Sequence, residues 1–347
     1  MTEIIPAILV HGGAGHLGPD DPASFGTDAP RLLGVREAVR AAWAILEGGG
    51  SALDAVEAAV RVLEDDPTYN SATGACLTAA GDVELDASIM DGASLRCGAV
   101  AVVKDVKNPV TLARRVMDRS EHVLLAGPGA SAFAREVGIP AYDNQLLVTP
   151  QQRARWERLR GTAAAGHGTV GAVARDRHGH LAAATSTGGM AMKRPGRVGD
   201  TPIVGCGTYA DDALAAVSCT GHGERIIQLT LARHCADLVG QGRSAMEAAR
   251  EAIRRLGERV DGRGRRHRGR PARRGGVRPQ LARHGARLVA AGWDDRGGDV
   301  APAGDKPPPY RSFDFFAASR RGWMMSSGSG KTMVLVFSVE ISMSVCM

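Results

Sequence analysis

The chain has 347 residues, of which 44% are hydrophobic and 23% are charged, a balance that excludes disorder throughout and suits one large globular domain or two ordinary ones. Aromatic residues make up only 4%, whereas glycine contributes 45 residues and proline 17, so the core is expected to consist mainly of Ala, Val and Leu packed around glycine-rich turns, as in α/β or α+β folds. The net charge is +6, but residues 261–290 alone carry +9 and the rest of the chain carries −3, which excludes a generally basic, nucleic-acid-binding surface.

The sequence carries no signal for a membrane or an oxidising compartment. No stretch of about 18 apolar residues occurs, and the first residues, Met1, Thr2 and Glu3, lack the basic start and apolar run of a signal peptide. The six cysteines include no Cys-x-x-Cys pair and no histidine at zinc spacing. We therefore expect a cytoplasmic protein with reduced thiols and no membrane partner.

The first predicted element is a buried strand at residues 7–10, which runs into a glycine-rich turn at 11–15. Gly12, Gly13 and Gly15 do not have the G-x-G-x-x-G spacing, and no amphipathic helix begins at once. A dinucleotide or phosphate site is therefore not expected here.

Two amphipathic helices are predicted next. Apolar residues recur at helical spacing over 35–46 and again over 53–63, and Ser51 with Asp54 has the spacing of a capping box at the second start. A polar loop follows at 64–71. The residues alone favour a surface connection for this loop, although its carbonyl oxygens would also suit a hard cation.

The middle of the chain holds two strand-like runs, at 99–103 and 123–126. The segment at 141–168 is polar, rich in Gln and Arg, and ends in Gly-His-Gly. This composition predicts an exposed linker, and the character of the chain changes at Thr169.

From Thr169 onward, two apolar runs flank a turn at residues 176–179, which predicts an antiparallel hairpin. If the hairpin is centred on His178, Thr169 lies directly opposite Thr187, with Cβ atoms about 4.5–5.5 Å apart. Paired threonines are also common in ordinary strands. The pair is therefore a candidate site only together with its surroundings.

Two features of those surroundings suit amino-acid chemistry. Arg197 and Asp200 stand three residues apart in one short turn. They form either a surface ion pair or a grip for a zwitterion, in which Arg holds an α-carboxylate and Asp an α-ammonium. Further on, a buried strand at 215–219 breaks into a glycine-rich turn at 220–224, whose N–H groups can point at an oxyanion.

Four motifs follow one another along this part of the chain: Gly-Thr-Val-Gly-Ala-Val at 168–173, Thr-Ser-Thr-Gly-Gly at 185–189, Pro-Gly-Arg-Val-Gly-Asp at 195–200 and Thr-Gly-His-Gly-Glu at 220–224. With these motifs in register, the chain resembles the plant-type asparaginase/isoaspartyl peptidase family of N-terminal-nucleophile hydrolases. The segments at 11–15, 69–70 and 84–92 match in the same order. The resemblance covers residues 5–255.

The resemblance implies an α+β fold, a four-layer αββα sandwich, in a precursor that cuts itself between Gly168 and Thr169. Residues 1–168 would form the α subunit, and 169–260 the core of the β subunit. After the cut, the free α-amine of Thr169 would act as base for its own hydroxyl, because such an amine has a pKa of about 7.7–8.0. The expected assembly is a homodimer of such cleaved heterodimers.

The resemblance also implies residue roles: Thr187 orients the nucleophile, and Asn70 helps to position it. The remaining groups would act on the substrate, with Thr220 and Gly221 as oxyanion site, Arg197 for the α-carboxylate, and Asp200 with the Gly223 carbonyl for the α-amine. The bond cleaved would be the side-chain amide of asparagine or the β-aspartyl bond of an isoaspartyl dipeptide. The aspartyl group would then form an ester on Thr169, which water hydrolyses.

No catalytic metal or organic cofactor is implied. The family's loop corresponding to 63–73 often holds a structural sodium ion through backbone carbonyls, which predicts ligands at Leu63, Glu64, Asp66, Tyr69, Ser71 and Thr73. Related glycosylasparaginases share the fold and the chemistry but cleave asparagine that carries sugar. They usually have Asp before the nucleophile and are exported, so Gly168 points to the isoaspartyl peptidase/asparaginase branch.

The resemblance fails beyond residue 260, where the Arg-rich and irregular tail 261–347 begins. Such a tract suggests RNA binding, but no aromatic residues interleave with its arginines, so nucleic acid is not the expected partner. We interpret the tail as a frameshift product, because codons for residues 266–271 can be chosen that read Ala-Ile-Val-Val-Asp one base later, as the family has here. On this hypothesis the last strands are missing, and the alternative function is an inactive or unprocessed relative whose basic tail binds nucleic acid or acidic partners.

Overall fold

The computed structural model describes residues 4–13 and 30–260, together with five short strands between 287 and 346. The helices are α1 (Pro30–Glu47), α2 (Ala52–Asp65), α3 (Pro109–Arg119), α4 (Gly127–Glu136), α5 (Pro150–Leu159), α6 (Gly223–Leu229), α7 (Leu231–Gly240) and α8 (Ala245–Arg259). The strands up to residue 260 are β1 (Ala7–His11), β2 (Leu85–Asp91), β3 (Cys97–Val103), β4 (Leu124–Ala126), β5 (Ala165–His167), β6 (Val170–Arg175), β7 (Leu181–Thr187), β8 (Met190–Ala191), β9 (Thr208–Ala210) and β10 (Ala216–Thr220). The tail adds β11 (Arg287–Ala290), β12 (Asp314–Ala317), β13 (Trp323–Ser326), β14 (Met333–Val336) and β15 (Ser344–Cys346).

A six-stranded sheet in the order β1-β6-β7-β2-β3-β4 forms the centre of the protein. All neighbours are antiparallel except β3 and β4. The predicted hairpin is β6 and β7, and its register is confirmed, because Val170 faces Ser186 and Arg175 faces Leu181. Thr169 and Thr187 therefore come together at the open end of the hairpin.

Helices α1, α2 and α3 pack on one face of this sheet. The predicted stripe of α2 is buried in a common core with Ala172 and Ala184 of the hairpin strands. At its start, the Ser51 hydroxyl accepts the Asp54 N–H at 3.1 Å and donates to the Asp54 carboxylate at 2.7 Å. The helix begins where the capping signal predicts.

The opposite face of the sheet packs on a second group of elements. Leu9, Val173 and Ala183 share a buried cluster with residues of β9, β10 and helices α6, α7 and α8. Helix α8 begins with a capping box, in which the Ser244 hydroxyl and the Glu247 carboxylate each accept from the other's backbone N–H. The molecule is thus a mixed α+β sandwich of helices and sheets. Among the described residues, no helix is both long and apolar enough to cross a bilayer.

The segment predicted as an exposed linker, 141–168, is more ordered than we expected. It contains a 3-10 turn at Asn144–Leu147 and the helix α5. Trp156 anchors α5, because its indole N–H donates to the Thr78 carbonyl at 2.8 Å. No residue of α5 is buried, so the helix has no apolar stripe to reveal it, but its start signals are present: Pro150 follows Thr149, whose hydroxyl caps the Gln152 N–H.

Strand β10 has neighbours where the frameshift hypothesis predicts missing strands. It pairs with β9 and also with β11 and β15 from the tail, while β12, β13 and β14 form a separate three-stranded sheet. Four residues of the tail, 287–290, thus occupy the expected open edge, since ladder pairing uses backbone groups that any sequence except proline supplies. The Arg-rich run at 261–286 lies outside the described residues.

Candidate active site

The β6-β7 hairpin brings two threonine hydroxyls together in the interior. Thr169 directly precedes β6 and Thr187 ends β7, and both side chains are buried. The Thr169 Oγ1 donates to the Thr187 Oγ1 at 3.2 Å. This contact places the predicted nucleophile beside the residue predicted to orient it.

The carbonyl oxygen of Gly168, in the peptide bond that precedes Thr169, lies between two donors. Thr187 Oγ1 donates to it at 2.7 Å, and Asn70 Nδ2 donates to it at 2.8 Å. Two donors aimed at one carbonyl oxygen form the kind of site that stabilises an oxyanion when a nucleophile attacks the carbon. The predicted residues Gly168, Thr169, Thr187 and Asn70 are thus in one cluster.

Backbone contacts fix both donors. The Thr187 hydroxyl oxygen accepts the Gly189 N–H at 2.9 Å. Asn70 is held at both ends of its amide, since Nδ2 also donates to the Gly189 carbonyl at 2.7 Å and Oδ1 accepts the Cys76 N–H at 2.8 Å. Neither side chain needs to reorganise as charge develops on the Gly168 oxygen, which is the requirement for electrostatic preorganisation.

The glycine turn after β1 also reaches this cluster, which the sequence did not reveal. Gly13 has a φ of +104°, and a Cβ atom there would lie 3.0 Å from the Thr169 nitrogen and 3.3 Å from the Gly168 Cα. Only a glycine permits so close an approach in that conformation. The signal was present in the glycine-rich turn at 11–15, but its three-dimensional partner lies more than 150 residues away in the chain.

Thr220 and Gly221, predicted for the oxyanion site, lie at the end of β10. The Thr220 side chain is buried, and among the described residues its Oγ1 has no hydrogen-bond partner. A buried hydroxyl without a partner is costly, so it fits a position that a ligand completes. Gly221 has a positive φ of +156°, a conformation that residues with a side chain rarely adopt.

Arg197 and Asp200 are not the ion pair that their spacing allowed. The Arg197 guanidinium instead forms a bidentate pair with Glu224, in which Nε donates to Oε1 and Nη2 donates to Oε2, each at 3.0 Å. Sequence reasoning assigned no role to Glu224, although it follows the predicted Gly223. A three-residue spacing fixes proximity in the chain but not the direction of a long side chain, and the partner came from another segment.

Asp200 is buried beside this pair. Burial raises the pKa of its carboxyl to about 7, against the lowering effect of the Arg197 charge. Its Oδ2 has no hydrogen-bond partner among the residues that the structure describes. Gly223 separates the two groups, since a Cβ there would lie 2.7 Å from Arg197 Nη2 and 2.8 Å from Asp200 Oδ1. A cation and a buried carboxylate are therefore set side by side with no side chain between them.

The predicted cation loop brings backbone carbonyls together. A Cβ atom on Gly74 would collide with the carbonyl oxygens of Pro67 and Tyr69, so these two oxygens converge. The carbonyls of Glu64 and Asp66 each accept one backbone N–H, which leaves each a second lone pair. Burial raises the pKa of the Glu64 carboxyl to about 8. This carboxyl accepts hydrogen bonds from the Val110 N–H and the Asn108 side-chain amide. Carbonyl oxygens fit a hard cation such as sodium, and the described residues contain no His/Cys/Asp/Glu cluster for another metal.

Comparison with known proteins matches most of the described chain. The family model described as asparaginase matches residues 4–264, and so ends where the Arg-rich tail begins. An isoaspartyl peptidase/L-asparaginase of Danio rerio is 46% identical over 268 residues, covering 75% of this chain and 84% of that protein. A plant-type L-asparaginase of Pyrococcus furiosus is 47% identical over 269 residues, covering 72% of this chain and 84% of that protein.

Proposed function

This chain belongs to the asparaginase family and is therefore an amide-hydrolysing enzyme, and we propose that Thr169 is its nucleophile. Self-cleavage exposes Thr169, which then attacks the side-chain carbonyl of L-asparagine and of β-aspartyl dipeptides. One observation supports this most strongly. The bond before Thr169 carries a carbonyl oxygen held by Thr187 and Asn70, while the Thr169 hydroxyl contacts Thr187.

In self-cleavage, the Thr169 Oγ attacks the carbonyl carbon of Gly168. The negative charge develops on the Gly168 oxygen, where Asn70 and Thr187 already donate. The proton of the Thr169 hydroxyl passes to the Thr169 nitrogen as the C–N bond breaks, and the chain before the cut is left as an ester on the Thr169 oxygen. Water hydrolyses this ester, which leaves Gly168 with a carboxylate and Thr169 with a free α-amine.

In turnover, that α-amine removes the proton from the Thr169 hydroxyl, which attacks the side-chain carbonyl carbon of the substrate. The Thr220 hydroxyl, which has no partner among the described residues, and the Gly221 N–H would donate to the developing oxyanion. Ammonia or an amino acid leaves, and water releases aspartate from the ester. Arg197 binds the α-carboxylate, and Asp200 with the Gly223 carbonyl binds the α-ammonium.

The substrate assignment is tested by following three reactions with the purified full chain. We expect release of ammonia from L-asparagine and of leucine from β-aspartyl-leucine, and no aspartate from asparagine that carries N-acetylglucosamine. Turnover of the sugar-bearing substrate alone would identify a glycosylasparaginase instead. Failure of all three with correctly cleaved protein would contradict the proposed activity.

Binding of the product L-aspartate is expected to release a proton near pH 6. The buried Asp200 carboxyl, with a pKa of about 7, is protonated there, and the bound ammonium favours its ionised form. Affinity should therefore fall about tenfold for each pH unit below 7. Calorimetry in buffers of different ionisation enthalpy measures the proton count. An Asp200→Asn variant is expected to bind weakly, without release of this proton, and the same release by the variant would contradict the assignment.

We propose three further properties on the same basis. The two core clusters on opposite faces of the central sheet support a four-layer αββα arrangement of the N-terminal-nucleophile type. The converging carbonyls at 63–73 would hold sodium. The cleaved heterodimer would pair as a homodimer. The cytoplasmic location stays a prediction.

A further inference from the structure

The Glu224 carboxylate accepts hydrogen bonds along one edge of the Arg197 guanidinium and lies on its solvent-facing side. The Glu224 side chain is 46% exposed, whereas that of Arg197 is 16% exposed. The carboxylate engages Nε and Nη2 at 3.0 Å each, and its Oε2 also lies 3.1 Å from His222 Nδ1. A guanidinium has a second edge, formed by Nη1 and Nη2, that can hold another carboxylate in the same bidentate manner.

That second edge is surrounded by glycines. A Cβ atom would lie 3.2 Å from Nη1 if placed on Gly189, 2.7 Å from Nη1 on Gly199 and 2.7 Å from Nη2 on Gly223. Arg197 Nη1 has no hydrogen-bond partner among the described residues. The end of the guanidinium is thus bordered by glycine backbone, and the side chains of Lys193 and Asp200 lie next to the same glycines.

The neighbouring carboxylate of Asp200 is a competitor for this edge. A Cβ on Gly223 would touch both Arg197 Nη2 and Asp200 Oδ1, so the two groups lie within reach of each other. Arginine is long and has several rotamers, and a buried carboxylate with an unpartnered oxygen attracts a cation strongly. Direct pairing of Arg197 with Asp200 would neutralise both charges and leave nothing for a zwitterion.

We propose that Glu224 is a positioning residue that holds Arg197 by its Nε edge, so that the other edge receives the substrate α-carboxylate and Asp200 stays open for the α-ammonium. This inference rests on the proposed function of the site. It assigns Glu224 a role through Arg197 and no contact with the substrate.

The test is Glu224→Gln, which keeps the shape of the side chain but cannot accept the guanidinium through two oxygens. Two substrates are compared: L-asparagine and its α-amide, which lacks the α-carboxylate. We expect KM for L-asparagine to rise about tenfold or more, with kcat within about threefold of wild type. KM for the α-amide, which keeps the α-ammonium that Asp200 binds but has no α-carboxylate, should rise less than KM for L-asparagine. Glu224→Asp should restore part of the affinity for L-asparagine.

The matched control is Glu251→Gln. Glu251 also forms a bidentate pair with an arginine, since Arg254 Nε and Nη2 donate to its two oxygens at 2.7 and 2.6 Å, but this pair lies on α8 away from the site. Its KM for both substrates should equal that of wild type.

Three outcomes would overturn the inference. They are an unchanged KM for L-asparagine in Glu224→Gln, an equal loss with both substrates, and a loss in kcat alone. If wild type itself shows no preference for L-asparagine over the α-amide, the α-carboxylate subsite of the proposed function fails instead. The two failures are therefore distinguishable.

Discussion

Replacing Thr169 with alanine is expected to leave one uncut chain whose amidase activity is lower by at least about 10⁴-fold. The variant loses the hydroxyl that attacks Gly168, so no free α-amine forms, and it loses the nucleophile for the substrate as well. Nucleophile and base disappear together. Ammonia release from L-asparagine, followed with the mass of the chain, measures both effects.

Thr169→Ser is the matched control, because it keeps the hydroxyl and removes only a methyl group. We expect this variant to cut itself and to hydrolyse L-asparagine, each more slowly than wild type, since serine has more freedom at χ1 than the β-branched threonine. Fragments from Thr169→Ala would contradict the assignment of the cut. Activity of uncut Thr169→Ala near the wild-type level would contradict the assignment of the nucleophile.

Arg197→Ala is expected to lower kcat/KM for L-asparagine by about 30- to 5,000-fold, which corresponds to a loss of roughly 2–5 kcal/mol. The variant removes the cation for the α-carboxylate and leaves the Glu224 and Asp200 carboxylates without it. Self-cleavage should proceed as in wild type, because the donors to the Gly168 carbonyl are Asn70 and Thr187.

Arg197→Lys is the corresponding control. Lysine keeps the charge but cannot hold two carboxylates through two planar edges, so we expect an intermediate loss. An Arg197→Ala enzyme with wild-type kcat/KM would show that the α-carboxylate is bound elsewhere. If instead Arg197→Ala abolished self-cleavage, the separation between cutting and substrate binding would be wrong.

The hairpin that carries the site was predictable from local sequence. Two apolar runs flank a single turn at 176–179, and once the centre is fixed every pair follows, including Val170 with Ser186. The pairing of Thr169 with Thr187 then needs no long-range information. The same holds for α2, whose cap and apolar stripe are local.

The parts of the site that were missed depend on contacts between distant segments. Glu224 reaches Arg197 from a different element, and Gly13 reaches Thr169 from the turn after the first strand of the chain. Neither residue has a local pattern that names its partner. The direction of Arg197 could not be read from its spacing to Asp200, because a long side chain takes the partner with the better bidentate geometry.

The tail at 261–347 lies almost wholly beyond the asparaginase family match, which ends at residue 264. The frameshift hypothesis concerns the gene, so the fold does not test it. Strands β11 and β15 nevertheless pair with β10, whose last residue is Thr220. If the tail supports the Thr220 oxyanion site in this way, the cleaved full chain hydrolyses L-asparagine. Sequencing the gene across codons 261–265 tests the frameshift separately.

Cleavage of the Gly168–Thr169 bond by Thr169 is measured by the intact mass of the purified full chain after incubation at neutral pH. We predict two fragments, one ending at Gly168 and one beginning at Thr169 with a free α-amine. A single uncut chain of 347 residues would show that Thr169 does not cut this bond.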